Sequence, residues 1–257
     1  MTCVIAVSGK GGTGKTTFSA LLVDSLLSQG LGPVLAVDAD PNSNLDMVLG
    51  VELTSTVGEI REEMTEKVQK QELPAGMSKQ DMLEIQIEQA LVEAADFDLL
   101  SMGRQEGPGC YCAINNMLRV FLDRLEKRYR FGVVDNEAGM EHLSRRTTRG
   151  ADLMFVMSDP TARGIETAAR IAALAEKMKL EIKKKYLVVS RCMPQLDADL
   201  EDLIGGTGIE LAGLVPEDPE VARLDQAGRS LRELPPSSGS RQAVGEILSG
   251  VIQGVCG

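Results

Sequence analysis

The apolar run Cys3-Val4-Ile5-Ala6-Val7 leads into Gly9-Lys10-Gly11-Gly12-Thr13-Gly14-Lys15-Thr16-Thr17 and then into Phe18-Ser19-Ala20-Leu21-Leu22-Val23. The order reads strand, glycine loop, helix. In that context G-x-x-x-x-G-K-[ST] is a phosphate-binding loop rather than a chance match. The glycines let backbone N–H groups crowd around a phosphate without Cβ clashes, and the helix N-terminus adds partial positive charge. All nine residues from Gly9 to Thr17 are therefore candidate nucleotide contacts. Lys15 belongs on the β- and γ-phosphates, and the Thr16 hydroxyl on Mg²⁺. The unusual residue is Lys10, a second lysine inside the loop, which makes the pattern K-G-G-x-G-K-T-T.

Short apolar runs alternate with helical segments along the rest of the chain. Strands are expected at residues 2–7, 34–38, 98–102, 131–135, 153–157, 186–190 and 210–215. Helices are expected at 16–29, 114–129, 164–179 and 240–252. This alternation predicts an α/β fold: a doubly wound, mostly parallel sheet with helices on both faces. Ligands of such sheets bind beyond the carboxyl ends of the strands. The glycine loop, residues 38–44 and residues 135–139 all fall there. The stretch 51–89 is harder to place; 58–71 is charged and helix-like, and a solvated insertion stands at least level with a functional arm.

The 257 residues are expected to form one domain, 1–257. A formal net charge of −11 opposes general nucleic-acid binding. No apolar stretch is long enough to cross a bilayer, and no export signal precedes the first strand. The expected location is cytoplasmic. Five cysteines in such a chain are expected to be free or metal-bound rather than paired.

Two further segments complete a nucleotide-hydrolysing set. The second strand ends in Val37-Asp38-Ala39-Asp40-Pro41, and two acids one residue apart can divide the work. One lies near the Mg²⁺ shell and the other orients the attacking water. The fourth strand ends in Val134-Asp135-Asn136-Glu137-Ala138-Gly139, an acid suited to holding Mg²⁺ through water, followed by a switch-like glycine. The lysine-bearing loop, Asp38, Asp40 and Asp135 with Gly139 resemble the MinD/ParA family of P-loop ATPases. That resemblance implies Mg²⁺-dependent hydrolysis of ATP to ADP, with Lys10, Lys15 and Asp40 catalytic and Thr16, Asp38 and Asp135 around magnesium. It implies a homodimer in which Lys10 crosses the two-fold interface, and Asp40 as the acid that orients water. It also implies a base pocket formed by Ser190, where the family usually has Asn, with Arg191, Pro216 and Glu217.

The pair Cys110 and Cys112 follows a glycine/proline loop and precedes a helical segment, a position that favours the metal-binding thiolate. C-x-C supplies two ligands, whereas a tetrahedral thiolate site takes four. A two-fold dimer could supply the rest. The strings Met102-Gly103-Arg104 … Gly107-Pro108-Gly109-Cys110-Tyr111-Cys112 and 134–146 resemble the CooC branch of that family. That likeness implies an ATPase handling Ni²⁺ for nickel carbon monoxide dehydrogenase or acetyl-CoA synthase. Softness alone would also admit Zn²⁺ at the same cysteines. Two other readings stand beside it. One is a MinD/ParA-type positioning ATPase acting on membrane or DNA. The other is an electron-transfer ATPase with a bridging cluster. The tail 241–257 lacks Lys and Arg after Arg241 and reads as a core-packing helix, so no membrane partner is expected.

Overall fold

A computed structural model describes residues 2–70, 76, 78–104, 124–125, 127–137, 150–193 and 195–256. Its strands are β1 (Cys3–Gly9), β2 (Val34–Ala39), β3 (Val92–Glu93), β4 (Phe97–Ser101), β5 (Phe131–Asn136), β6 (Gly150–Ser158), β7 (Glu181–Cys192) and β8 (Glu210–Pro216). The helices among the described residues are α1 (Lys15–Ser28), α2 (Leu45–Leu49), α3 (Val57–Lys70), α4 (Lys79–Ala90), α5 (Ala162–Lys177), α6 (Ala198–Gly206), α7 (Pro219–Gln226) and α8 (Gly239–Ile252). All seven expected strands are present. Three of the four expected helices are present as well, and most of the one at 114–129 lies outside the described residues.

The sheet runs β3-β4-β2-β5-β1-β6-β7-β8. Every pairing is parallel except the two-residue β3 against β4. The first strand sits in the middle, with β5 on one side and β6 on the other. Later strands are laid down on opposite sides of it, so the carboxyl end of β1 is a topological switch point where such sheets bind ligands.

Side-chain alternation along the central strands builds two cores. Ile5 and Val7 of β1, with Phe131 and Phe155, face α1 and α8, where Phe18, Leu21, Leu22, Val244 and Leu248 are fully buried. Phe18 meets Phe155 edge-on, ring centroids 5.2 Å apart, a favoured aromatic geometry. Ala6 points the other way, toward Ile165, Ala168 and Ala172 of α5. Burial of Val244, Ile247, Leu248, Val251 and Ile252 confirms α8 as a core helix.

Two expectations need correction. Of the two readings of 51–89, the solvated insertion does not hold for α3 and α4. Val57, Ile60 and Met64 of α3, with Leu83, Ile87 and Ala90 of α4, are buried and cover Leu35, Leu100 and Val134 on the sheet. Their spacings of three and four residues put them on one helical face. Cys3 and Cys256 are not free: they form a disulfide, Cα atoms 5.6 Å apart. They meet because β1 and the tail after α8 pack into the same core. Cys192 is free and buried, as expected. No helix among the described residues is long and apolar enough to cross a membrane.

Candidate active site

The glycine loop turns between β1 and α1 at two positions that only glycine fills easily. A Cβ on Gly9 would sit 2.6 Å from the Met157 carbonyl oxygen, so β1 can approach β6 only without a side chain. Gly14 caps α1 with φ 76°, a left-handed conformation costly for other residues. The loop is closed by the Lys10 carbonyl, which accepts from the Thr13 hydroxyl at 2.8 Å and from Lys15 Nζ at 3.4 Å. Lys15 is buried, whereas Lys10, Gly11 and Gly12 are exposed. The first lysine thus stands on the outer rim of the loop and the second within it.

The two strand-ending acids are both 1% exposed, but they are held differently. Asp38 accepts three backbone N–H bonds: Asp40 at 3.0 Å on Oδ1, with Asn44 and Leu45 at 2.9 Å on Oδ2. It folds residues 39–45 back against the end of β2. Burial still pushes its pKa up, against the pull of those amides. Asp40, half-buried in this loop, accepts from the Asn42 backbone at 2.9 Å and from the Asn42 side chain at 3.1 Å.

Asp135 accepts hydroxyl hydrogen bonds from α1, from Ser19 at 3.1 Å and from Thr16. Burial is the main cause that raises its pKa to about 7, and the neighbouring Asp38 charge raises it further; the two hydroxyls and Lys15 pull the other way. Thr16, Asp38 and Asp135, singled out from sequence, therefore do converge. Ser19 was not singled out, although it follows Thr16 at one helical turn and so faces the same acid. Asn136 was missed too. Its amide donates to the Val7 carbonyl at 3.0 Å, tying β5 to β1, while its Oδ1 and the Ser8 hydroxyl are buried without partners.

Magnesium fits this donor set. A hydroxyl and two buried carboxylates are hard oxygen ligands, and a carboxyl held near pH 7 by burial and by a like charge is relieved by a divalent cation.

The residues expected to form a base pocket come together. Gly14, Thr17, Ser190, Arg191, Pro216 and Glu217 line one cavity of about 540 Å³ beside α1. The Ser190 hydroxyl donates to the Thr13 carbonyl at 2.7 Å and lies 3.2 Å from that of Ser158, so it ties the loop to β7. Arg191, at φ 53°, bonds the Gly12 carbonyl. Where the family pattern has an Asn, this Ser is already committed to the loop backbone. Cys110, Cys112, Gly139 and His142 lie outside the described residues, and among the described residues no group of three or more His, Cys, Asp or Glu could hold a metal.

Residues 4–231 match the CobQ/CobB/MinD/ParA nucleotide binding domain. An uncharacterized ATP-binding protein of Methanocaldococcus jannaschii is 46% identical over 97% of this chain and 98% of its own. The carbon monoxide dehydrogenase accessory protein CooC of Rhodospirillum rubrum is 32% identical over 91% of this chain and 90% of its own. Among solved structures, the septum site-determining protein MinD of Pyrococcus horikoshii, complexed with Mg-ADP, superposes with a TM-score of 0.69. That match has 21% identity and covers 98% of this chain and 96% of the other, a likeness of fold. With its loop, paired acids and sheet order, the chain belongs to the CobQ/CobB/MinD/ParA family and is an ATPase of the MinD/ParA kind.

Proposed function

We propose that this ATPase is a nickel metallochaperone that matures nickel carbon monoxide dehydrogenase or acetyl-CoA synthase, using ATP to close a homodimer. The observation that carries the reading is the 32% identity to a carbon monoxide dehydrogenase accessory protein over nine-tenths of both chains. The exposed Lys10 supports the dimer, because it stands where a second protomer's nucleotide could meet it.

The residues would act as follows. The loop amides from Gly9 to Thr17 cradle the phosphates, and Lys15 neutralises them. The base enters the cavity between Ser190-Arg191 and Pro216-Glu217. Thr16, Asp135 and Asp38 would hold Mg²⁺, which when bound offsets negative charge on the phosphates. Asp135 must be ionised to serve, so its raised pKa makes magnesium binding release a proton. Asp40 orients the attacking water. Lys10 reaches the partner's nucleotide. Cys110 and Cys112 of two protomers together form a four-thiolate cage for Ni²⁺, the cargo, or for Zn²⁺ in its place.

Changing both Cys110 and Cys112 to Ser is expected to abolish stoichiometric Ni²⁺ binding while nucleotide binding persists. Equilibrium dialysis with metal analysis in apo, ADP and ATP-analogue forms reads this out. Undiminished nickel binding overturns the site.

A positioning ATPase is the second reading, supported by the likeness of fold to MinD. Burial of the apolar face of α8 weighs against a membrane-inserting tail, and the net charge weighs against DNA. Liposome and DNA co-sedimentation with ATP decides between the two.

A further inference from the structure

The amino end of β7 is built unlike the rest of the sheet. This strand begins at Glu181, where it already pairs with Gly150 of β6. Its other neighbour, β8, joins only at Tyr186, opposite Glu210. Residues 181–185 therefore carry a ladder on one side and none on the other. Unpaired strand edges are templates for a further strand.

The same overhang is basic. Residues 177–185 contain Lys177, Lys179, Lys183, Lys184 and Lys185 against the single Glu181, in a chain whose net charge is −11. Lys183 pairs with Asp152, and Lys185 with Glu176. Lys177, Lys179 and Lys184 are exposed and have no carboxylate partner among the described residues. A cavity of about 220 Å³ is lined by Lys183–Lys185, by Ala169, Ala172, Ala173 and Glu176 of α5, the last already paired with Lys185, and by the turn before β8. Its small residues leave room for a backbone.

Lysines on a free edge also guard it against unwanted pairing. That role accounts for the strand residues Lys183–Lys185. It does not account for Lys177 and Lys179, which lie at the end of α5 and in the turn after it.

We infer that this overhang is a docking edge for an extended acidic segment of a partner protein, which adds as a strand beside residues 181–185 while its carboxylates meet Lys177, Lys179 and Lys184. Charge complementarity and the missing ladder select this occupant. The long-range repulsion of an acidic chain works against polyanions such as DNA or an anionic bilayer, which present charge over a wide area. The edge lies at the opposite end of the sheet from the glycine loop, so docking does not compete with nucleotide. It stands whether or not the cargo is nickel.

The probe is a fluorescein-labelled eight-residue peptide of alternating Glu and Val, followed by anisotropy with the intact protein. Saturable binding is expected, weakened at least tenfold in K177E/K179E/K184E, whose ATP turnover stays unchanged. A matched peptide N-methylated at every residue, which has no backbone N–H to donate to a ladder, should bind at least tenfold more weakly. Hydrogen exchange should show amide protection within 181–185 on binding. No binding, equal binding by the triple variant, equal binding of the N-methylated peptide or unchanged exchange would each overturn the proposal. So would tighter lysine-dependent binding to duplex DNA or to phosphatidylglycerol vesicles. Loss of nickel binding in the cysteine variant, by contrast, leaves this edge untouched.

Discussion

The ends of β2 and β5 carry the same residue, equally buried, in register across the sheet: Asp38 opposite Asp135. One accepts three backbone amides and the other receives only side-chain hydroxyls from α1. Asp38 thereby shapes a loop besides facing the magnesium site, and Asp135 keeps the greater acceptor capacity for a cation. The role of a buried acid follows from who already donates to it rather than from its type or its place on a strand.

The comparison breaks first at Asp135. Asp135→Asn is expected to cut Mg²⁺-dependent ATP turnover on the order of 10²–10³-fold, as when a preorganised charge-stabilising group is removed. Its stability should move the other way. The acid's pKa of about 7 lies above its ordinary 3.8, so the native state binds the proton more tightly than the unfolded chain does. The metal-free wild type should therefore lose stability as pH rises from about 4 to about 7. The Asn variant should lack this contribution, and urea unfolding in chelator at pH 5 and pH 8 would show it. Identical pH dependence in both proteins would mean that the carboxyl is not held protonated.

At Asp38 the expected loss is structural. Asp38→Ala leaves three backbone N–H groups without their acceptor and should lower unfolding free energy by about 3 kcal/mol. A loss below about 1 kcal/mol in urea melts would show that water replaces the carboxylate in the loop.

Asp40→Ala sharpens the contrast between the two acids of the D-x-D pair. Stability should change by less than about 1 kcal/mol, since Asp40 is half-buried and, among the described residues, its side chain bonds Asn42 alone. Turnover should be suppressed, while ATP-driven dimerisation by light scattering is spared. Lys10→Ala should weaken both. Equal dimerisation defects would contradict the division of roles.

The smallest effect belongs to Ser19→Ala. Removing one of the two hydroxyls on Asp135 should raise that acid's pKa further. Turnover at pH 7 should fall about fivefold, corresponding to a hydrogen bond worth about 1 kcal/mol. Recovery at higher pH is the check, because ionisation of Asp135 is what the hydroxyl assists.

Much of this was legible in the residues. Seven strands were marked by short apolar runs with turn-forming neighbours, and the strand–loop–helix order located the phosphate site. The helices α3 and α4 were legible in principle, since Val57, Ile60 and Met64 keep helical spacing; their high charge content hid a narrow apolar face. Ser190 was placed from sequence beside the glycine loop, where it does line the cavity, yet its engagement with the Thr13 carbonyl could not be read, because residues 177 positions apart in sequence meet only across the folded loop.

Local pattern alone determined the loop chemistry, the parallel sheet and the identity of the acids that converge on it. These depend on periodicity and on residue type over a few positions. Tertiary structure decided which of two identical acids is latched by amides, that Cys3 and Cys256 are joined, and that β7 overruns β8. Each of these turns on which distant backbone or side chain comes into reach. Packing of the whole sheet sets that distance, and no short stretch of chain encodes it.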